Sequence, residues 1–194
     1  MITLGFIRHG ETDWNREGRM QGSIDIPLNH NGREMAKKLA ARLESEQAWE
    51  VVYTSPLQRA VETAMYIAEK QKVTMHRDVR IREIGEGLIE GLTEAECVRK
   101  WGNHWQQLEL GREPKQQVEE RFQTFLEMLE QGREQNVLIV SHGSFIEAAL
   151  QYLCPEKCLD QRLSNTSLTI VRFTENWICE QYNCMHHLTE QYKF

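Results

Sequence analysis

The sequence predicts an α/β fold in which three layers, α/β/α, are built around a mostly parallel mixed sheet. Short runs of strand-forming residues alternate with longer segments of helical periodicity, and the last two strands follow each other directly. Alternation of this kind is typical of helices that cover both faces of a parallel sheet, whereas the late pair predicts an antiparallel hairpin. Residues 137–140 carry no polar side chain, which is typical of a central strand. We expect one domain over residues 1–194.

The first two elements are a short buried strand over residues 2–8 and the helix that follows it. An apolar residue recurs at every fourth position of that second segment, which predicts one buried helix face. The members of this stripe are Met35, Leu39 and Leu43. Glu34 is placed to close a cap on Asn31, so we expect the helix to begin there.

A second strand is predicted at residues 51–53, with a second helix immediately after it. Ser55 is a typical capping residue, and Pro56 suits the first helical position. The apolar stripe of this helix is Leu57, Val61, Ala64, Met65 and Ala68. Residues 73–75 predict a third, short strand.

Residues 84–113 differ from their surroundings, because glycines are frequent and the periodicity is weak. We expect loops with one short helix, which together form a lid-like insertion within the domain. Trp101 and Trp105 are spaced to lie on one helix face, where they would either line a pocket or form a small lid core. Trp14 would either form a wall of a site or pack beneath the first loop.

The last third of the chain completes the pattern. A helix is predicted to begin at Pro114 and to end near Gly132. After the central strand, a further helix extends to about residue 153. Residues 167–173 and 177–182 predict the terminal hairpin.

Composition and charge exclude some classes of protein. The chain has 23 Lys and Arg against 29 Asp and Glu, a net charge of −6. This balance disfavours binding to nucleic acid, which needs a basic surface. No apolar run reaches about 18 residues, so we expect no membrane span. The beginning of the chain does not have the pattern of a signal peptide, and we therefore expect a cytoplasmic protein.

Cysteine and histidine residues late in the chain raise the alternative of a zinc site. The residues concerned are Cys154, Cys158, Cys179, Cys184, His186 and His187. Their spacing is not that of a zinc motif, and Cys179 and Cys184 would face opposite sides of a strand. We therefore expect free thiols and no metal. Five histidines are predicted at the surface, namely His30, His76, His104, His186 and His187.

Polar residues stand at three places where a predicted strand has just ended. Arg8 and His9 close the first strand, Arg59 lies in the first turn of the helix after the second, and His142 follows the central strand. In an open α/β sheet, ligands bind beyond the carboxyl ends of the strands, so we expect these side chains to converge. A cation in a first helical turn opposes the helix dipole, which indicates that Arg59 has another purpose.

Two histidines and two arginines suit phosphoryl chemistry. Guanidinium groups match phosphate oxygens with paired hydrogen bonds. A neutral imidazole is a nucleophile, and a second imidazole can donate a hydrogen bond to a phosphoryl oxygen. The leaving group then needs a proton, for which Glu83 is the candidate acid if burial keeps it protonated.

Four motifs occur in order between residues 8 and 143: RHGETDWN, SPLQRAVETA, REIGEGLIEG and VSHG. In combination they resemble the phosphoglycerate-mutase-like branch of the histidine phosphatase superfamily. The resemblance implies an α/β/α fold, no metal or other cofactor, and a covalent phosphohistidine intermediate. It implies hydrolysis of small phosphate monoesters by a broad-specificity phosphatase.

The resemblance also implies roles for individual residues. His9 matches the phosphorylated nucleophile and Glu83 the general acid that later activates water. The residues that match phosphoryl-binding or substrate-binding positions are Arg8, Asn15, Gln21, Gly22, Arg59, His142 and Gly143. The chain has GREPKQQVEER where relatives often carry Gly-Glu-Ser, so the resemblance does not define the specificity.

Two alternatives accompany the phosphatase hypothesis. A phosphoglycerate mutase would need a longer insertion between Glu83 and His142, with extra cations and better shielding from water. A non-catalytic module that binds phosphorylated ligands would be expected to lack at least one catalytic residue, whereas this chain retains all of them. A homodimer, through the terminal hairpin, is the partner prediction that the sequence leaves open.

Overall fold

A computed structural model describes residues 2–46, 48–156 and 161–189. The strands are β1 (Ile2–Arg8), β2 (Val51–Thr54), β3 (Thr74–Arg77), β4 (Asn136–Ser141), β5 (Leu168–Phe173) and β6 (Trp177–Cys184). The helices are α1 (Asp13–Glu17), α2 (His30–Glu46), α3 (Gln58–Gln71), α4 (Glu94–Trp101), α5 (Lys115–Gln131) and α6 (Gly143–Leu153). Short 3₁₀ turns lie at Val79–Ile81, Gly87–Ile89, Trp105–Gln107 and His186–Leu188.

The six strands form one mixed sheet in the order β3-β2-β4-β1-β5-β6. Strand β4 lies between β1 and β2 and runs parallel to both, and β3 is parallel to β2. Strands β5 and β6 are the antiparallel hairpin, and β5 also pairs antiparallel with β1. The predicted mostly parallel sheet is therefore confirmed, with β4 in a central position.

Helices cover both faces, because successive residues of a strand point to opposite sides. On β4, Val137 and Ile139 pack against α5 and α6, while Leu138 and Val140 pack against α2 and α3. Phenylalanines from α5 and α6 fill the first of these two cores, and small residues of α3 let it lie close to the sheet in the second. The three-layer α/β/α prediction is confirmed.

Both predicted helix caps are wrong. The side chain of Asn29 accepts a hydrogen bond from Gly32 N at 2.8 Å and caps α2, so Asn31 lies inside the helix. Helix α3 begins at Gln58, not at Pro56, and Leu57 precedes it without a side-chain cap. The hydroxyl of Ser55 accepts a hydrogen bond from Leu57 N at 3.3 Å and is also bonded within the site described below. Met65, predicted in the core, is 54% exposed.

Residues 84–113 contain one regular helix, α4, as predicted. They form a small separate core from Ile89, Cys97, Trp105 and Leu110, against which Trp101 packs. Backbone hydrogen bonds join this segment to the loop after α1: Met20 N donates to Leu92 O, and Gly91 N to Met20 O. Both tryptophans therefore belong to the small core, and Trp105 also lines the cleft described below, so both interpretations hold for Trp105.

The cysteines lie in separate environments. Cys154 and Cys179 belong to the α5–α6 side of the sheet, whereas Cys184 accepts a hydrogen bond from Arg42 of α2 on the other side. Cys158 lies outside the described residues. Within those residues, no group of three or more potential ligands is placed to hold a metal ion, and no helix could span a membrane.

His187 contradicts the prediction of a surface histidine, because it is 1% exposed. Its Nε2 lies 2.9 Å from the hydroxyl of Thr166, and that hydroxyl donates to Asn165 O. The ring is therefore the Nε2–H donor. Burial, followed by the charge of Arg42, lowers its pKa from 6.5 to about 4.

We expect His187 to make the fold sensitive to acid. Between about pH 6.5 and 4 the unfolded chain binds a proton at this position and the folded chain does not, so stability decreases as pH falls. Across that window the loss amounts to about 3 kcal/mol. In urea denaturation at several pH values, His187→Gln should show a shallower decrease. The control His30→Gln removes an exposed histidine, and its stability should change with pH as that of the wild type does. If the stability of His187→Gln decreased with falling pH as steeply as that of His30→Gln, His187 would not be the source of the acid sensitivity.

Candidate active site

A cleft of about 1110 Å³ lies at the carboxyl ends of β1 and β4. Eight of the nine predicted site residues line it, and seven of these are Arg8, His9, Asn15, Gln21, Gly22, Arg59 and Glu83. Gly143 also lines it, at the beginning of α6. His142 lies beneath the surface, with its ring centroid 5.1 Å from that of His9. The structure therefore brings the predicted residues together.

His9 is held as a neutral imidazole of one tautomer. Its Nδ1 lies 2.6 Å from the carbonyl oxygen of Gly10, so Nδ1 carries the proton and Nε2 keeps its lone pair. Burial, with the nearby charges of Arg59 and Arg8, holds the pKa of His9 well below its usual value. A neutral ring with a free Nε2 is the form that can attack phosphorus.

His142 has protein partners at both nitrogens. Arg59 Nε donates to Nδ1 at 3.2 Å, so the neutral ring carries its proton on Nε2, which lies 2.7 Å from Ser55 Oγ. Burial and the charge of Arg59 hold the pKa of His142 well below its usual value. Ser55 therefore orients the second imidazole, a role that the sequence pattern had assigned to a helix cap.

Two guanidinium groups lie here, one fully buried and one partly buried, and Glu83 is the carboxyl group whose charge acts most strongly on both. Arg59 is 0% exposed, and two of its nitrogens donate to the carbonyls of Ile24 and Gly22. Arg8 donates to Leu163 O, and its buried Nε has no hydrogen-bond partner in the described chain. Across the described ranges neither arginine forms an ion pair. Buried charges are normally paired, so this arrangement favours the binding of an anion.

Glu83 is the carboxyl group on the opposite wall. Its Oε1 accepts hydrogen bonds from the backbone N–H groups of Ile84 and Phe145, both at 2.9 Å. Burial raises the pKa of Glu83 despite these bonds and the charges of Arg59 and Arg8. A bound phosphate would raise it further through repulsion of like charges. Glu83 is therefore suited to hold a proton near neutral pH.

Asn15, Gln21 and Gly143 complete the inner cleft. Asn15 Oδ1 is occupied by the capping box of α1, which leaves its amide nitrogen available to an oxygen in the cleft. Gln21 Oε1 is buried without a hydrogen-bond partner in the described residues. A Cβ on Gly143 would contact Arg8 Nε at 3.5 Å, so glycine leaves this guanidinium accessible.

Gly10 has a steric requirement of its own. A Cβ on Gly10 would lie 2.5 Å from the carbonyl oxygen of Gly32 in the first turn of α2. The Gly10 N–H donates to Thr63 Oγ1 of α3 at 3.0 Å. Helices α2 and α3 thus clamp the residue that follows His9, and this clamp keeps the imidazole in place.

Sequence reasoning missed several residues of the cleft. Asn165 lines it and donates to the backbone of His9. The outer cleft also carries Arg112, Lys115 and Arg162 among the acids Glu86, Glu94 and Glu147. Trp14 lines the cleft, which confirms one of its two predicted roles, and its ring lies beside Gly91 of the segment 84–113. The neighbours of Asn165 follow only from the β1–β5 pairing, and no local motif indicates that pairing.

The fold and the cleft together define a class of protein: an α/β protein that binds phosphate beside a pair of histidines. The profile of the histidine phosphatase superfamily (branch 1) matches residues 4–184. The chain belongs to this superfamily, and the resemblance noted in the sequence is confirmed.

Three similar proteins illustrate the range of the family. The chain is 31% identical to the phosphatase PhoE of Bacillus subtilis (strain 168), over 97% of this chain and 98% of that protein. It is 31% identical to the metal-independent phosphoserine phosphatase of Arabidopsis thaliana, over 94% and 82%. Phosphoserine phosphatase of Entamoeba histolytica, solved with 3-phosphoglyceric acid, superimposes with a TM-score of 0.82 at 29% identity, covering 97% of this chain and 100% of that one.

We expect Ser55→Ala to weaken anion binding. The change leaves the buried Nε2–H of His142 without a partner, so the ring loses its orientation. Orthovanadate affinity, measured by titration calorimetry, should fall on the order of tenfold. Ser141→Ala is the matched control, since it removes an equally buried hydroxyl bond, to Ile81 O at 2.7 Å, one residue from His142. Equal affinities of the two variants would show that Ser55 does not position His142.

Proposed function

We propose that this protein is a phosphatase that hydrolyses small phosphate monoesters through a phosphohistidine intermediate on His9. The observation that carries the proposal is the pair of guanidinium groups of Arg8 and Arg59, which form no ion pair within the described residues and lie beside a neutral imidazole. A phosphoryl group supplies the missing negative charge. It also supplies the electrophile that a neutral imidazole attacks.

Substrate binding would use donors that converge on the inner cleft. Arg8 and Asn15 both line the cleft, so the guanidinium group and the side-chain amide nitrogen can donate to phosphoryl oxygens bound there. Arg59 and His142 form the floor of the site, where the guanidinium places positive charge against the developing charge of the transition state. The histidine pair stays neutral, because these arginines and burial disfavour a third cation.

The reaction would take place in two balanced steps. His9 Nε2 donates its lone pair to phosphorus while the bond from phosphorus to the ester oxygen breaks, and Glu83 gives its proton to the departing oxygen. The Glu83 carboxylate then takes a proton from water, whose oxygen attacks phosphorus as the N–P bond breaks. Inorganic phosphate leaves, and both His9 and Glu83 return to their starting forms.

The outer cleft favours substrates that are themselves charged and polar. Four cations, Arg19, Arg112, Lys115 and Arg162, line it together with three acids, and Arg112 pairs with Glu86 at 2.7 Å. Charges of both signs suit a monoester that carries a carboxylate, with or without an amino group. Phosphoserine and phosphoglycerates have this chemistry, and two of the similar proteins are named as phosphoserine phosphatases.

Hydrolysis is favoured over mutase chemistry because water reaches the cleft. Glu94, Arg112 and Lys115 line its outer part and are exposed, so residues 84–113 cover the site incompletely. We propose that this segment is a lid that contributes specificity and does not seal the phosphohistidine from water. A non-catalytic role is disfavoured by the complete set of catalytic residues. Homodimer formation, cytoplasmic location and the lack of nucleic-acid partners stay predictions.

His9→Ala should abolish turnover. Without Nε2 there is no acceptor for the phosphoryl group, so kcat should fall on the order of 10⁴-fold or more. Phosphate release from phosphoserine, 3-phosphoglycerate and p-nitrophenyl phosphate is measured with a chelator present, since the proposed reaction needs no metal. Wild-type rates in His9→Ala would refute the nucleophile. Interconversion of phosphoglycerates with little phosphate release, given the bisphosphate, would identify a mutase.

Glu83→Gln should lower kcat most for the substrates whose leaving group most needs a proton. We expect a loss of about 10² to 10⁴ in kcat for phosphoserine and a much smaller loss for p-nitrophenyl phosphate, whose leaving group is stable as an anion. The matched control is Glu86→Gln on the same segment, whose carboxylate pairs with Arg112. Equal slowing of both substrates by Glu83→Gln would argue against an acid role.

A further inference from the structure

The turn that precedes β5 lies beside the nucleophile because of the sheet topology. Strand β5 runs antiparallel to β1, with Leu168 opposite Ile7. The residues before Leu168 must therefore lie next to those after Ile7. Residues 164–167 are thus held against Arg8, His9 and Gly10, although more than 150 positions separate them in the chain.

Asn165 makes the contacts that matter in this turn. Its Nδ2 donates to His9 O at 2.9 Å, and it lies 3.2 Å from both Gly10 O and Asn15 Oδ1. Two amide hydrogens thus serve three acceptors. Gly10 O is also the acceptor of the His9 Nδ1–H bond, so Asn165 holds the carbonyl that determines which nitrogen of His9 carries the proton.

Thr166 keeps this amide in position. Its backbone has a φ of +58°, in the left-handed region that β-branched residues rarely adopt. Its N–H donates to Arg8 O at 2.9 Å, and its buried hydroxyl lies between Asn165 O and His187 Nε2. The hydrogen bonds of Thr166 therefore stabilise this unfavourable backbone conformation and attach the turn to the end of β1.

We propose that Asn165 is a positioning residue that fixes the Nδ1–H tautomer of His9 and so keeps Nε2 unprotonated for attack. The inference rests on the proposed function for its effect on rate. Without the amide, His9 Nδ1–H makes the one hydrogen bond that the described residues give to the Gly10 carbonyl, which can then rotate away from the ring. His9 then populates the Nε2–H tautomer, which has no lone pair at the attacking atom.

The test compares Asn165→Ala with Ser164→Ala, a neighbouring change in the same turn at a side chain that does not contact His9. Long-range ¹H–¹⁵N spectra of the histidine rings report the tautomer, with His9 assigned from its loss in His9→Ala. We expect an unprotonated Nε2 in the wild type and Ser164→Ala, and a protonated or mixed Nε2 in Asn165→Ala. The burst of p-nitrophenol release should slow by about tenfold or more only in Asn165→Ala.

An unchanged His9 tautomer in Asn165→Ala would overturn the proposal, whether or not turnover decreases, because a merely structural role leaves the tautomer as it is. Should Asn165→Ala not fold, Asn165→Asp keeps the size of the side chain, removes both donor hydrogens and gives the same comparison. The spectra need no turnover. A wild type that lacks phosphatase activity would therefore refute the proposed function while the tautomer still decides the role of Asn165.

Discussion

The placement of two guanidinium groups and two imidazoles at one buried edge of the sheet is the constraint on which the site depends. Burial, and after it the positive charge of Arg59 and Arg8, lowers the pKa of His9 and of His142, so both rings are neutral. Burial also raises the pKa of Glu83, although both arginines oppose that shift. One electrostatic arrangement thus provides a neutral nucleophile, a protonated acid and a binding site for an anion, and all three are present before any substrate is bound.

The sheet positions these groups from two directions. Parallel pairing of β1 with β4 brings His142 beside His9, because the carboxyl ends of parallel strands meet at one edge. Antiparallel pairing of β1 with β5 brings the beginning of a strand to that same edge, and with it Asn165. The mixed sheet therefore surrounds the end of β1 with side chains on one side and with a hydrogen-bonded turn on the other. A purely parallel sheet would supply only the first of these.

Local patterns predicted the elements and the residues that end them, and failed where a partner lies far away in the chain. Arg8, His9 and His142 could be placed from strand ends alone, since every strand of a parallel sheet directs its carboxyl end to the ligand. Ser55 looked like a helix cap because the sequence around it fits one, but a buried imidazole competes for its hydroxyl. His187 and Asn165 depend on the β1–β5 pairing, whose register no local pattern indicates. Met65 follows the helical period and is nevertheless exposed, because α3 buries a narrower face than its apolar residues suggest.

Such a site opposes folding, and the rest of the molecule must offset that cost. Desolvated arginines that form no ion pair within the described residues, and neutral histidines, each lower the stability of the empty protein. Two apolar cores, one on each face of the sheet, stabilise the fold against this cost. Contacts such as the hydrogen bond between Gly10 and Thr63 then hold the site residues in position. The cost is recovered when a phosphoryl anion arrives, since its charge removes the repulsion between the arginines. Binding energy is therefore concentrated on the phosphoryl group that both steps transfer, which leaves the charged outer cleft to distinguish one monoester from another.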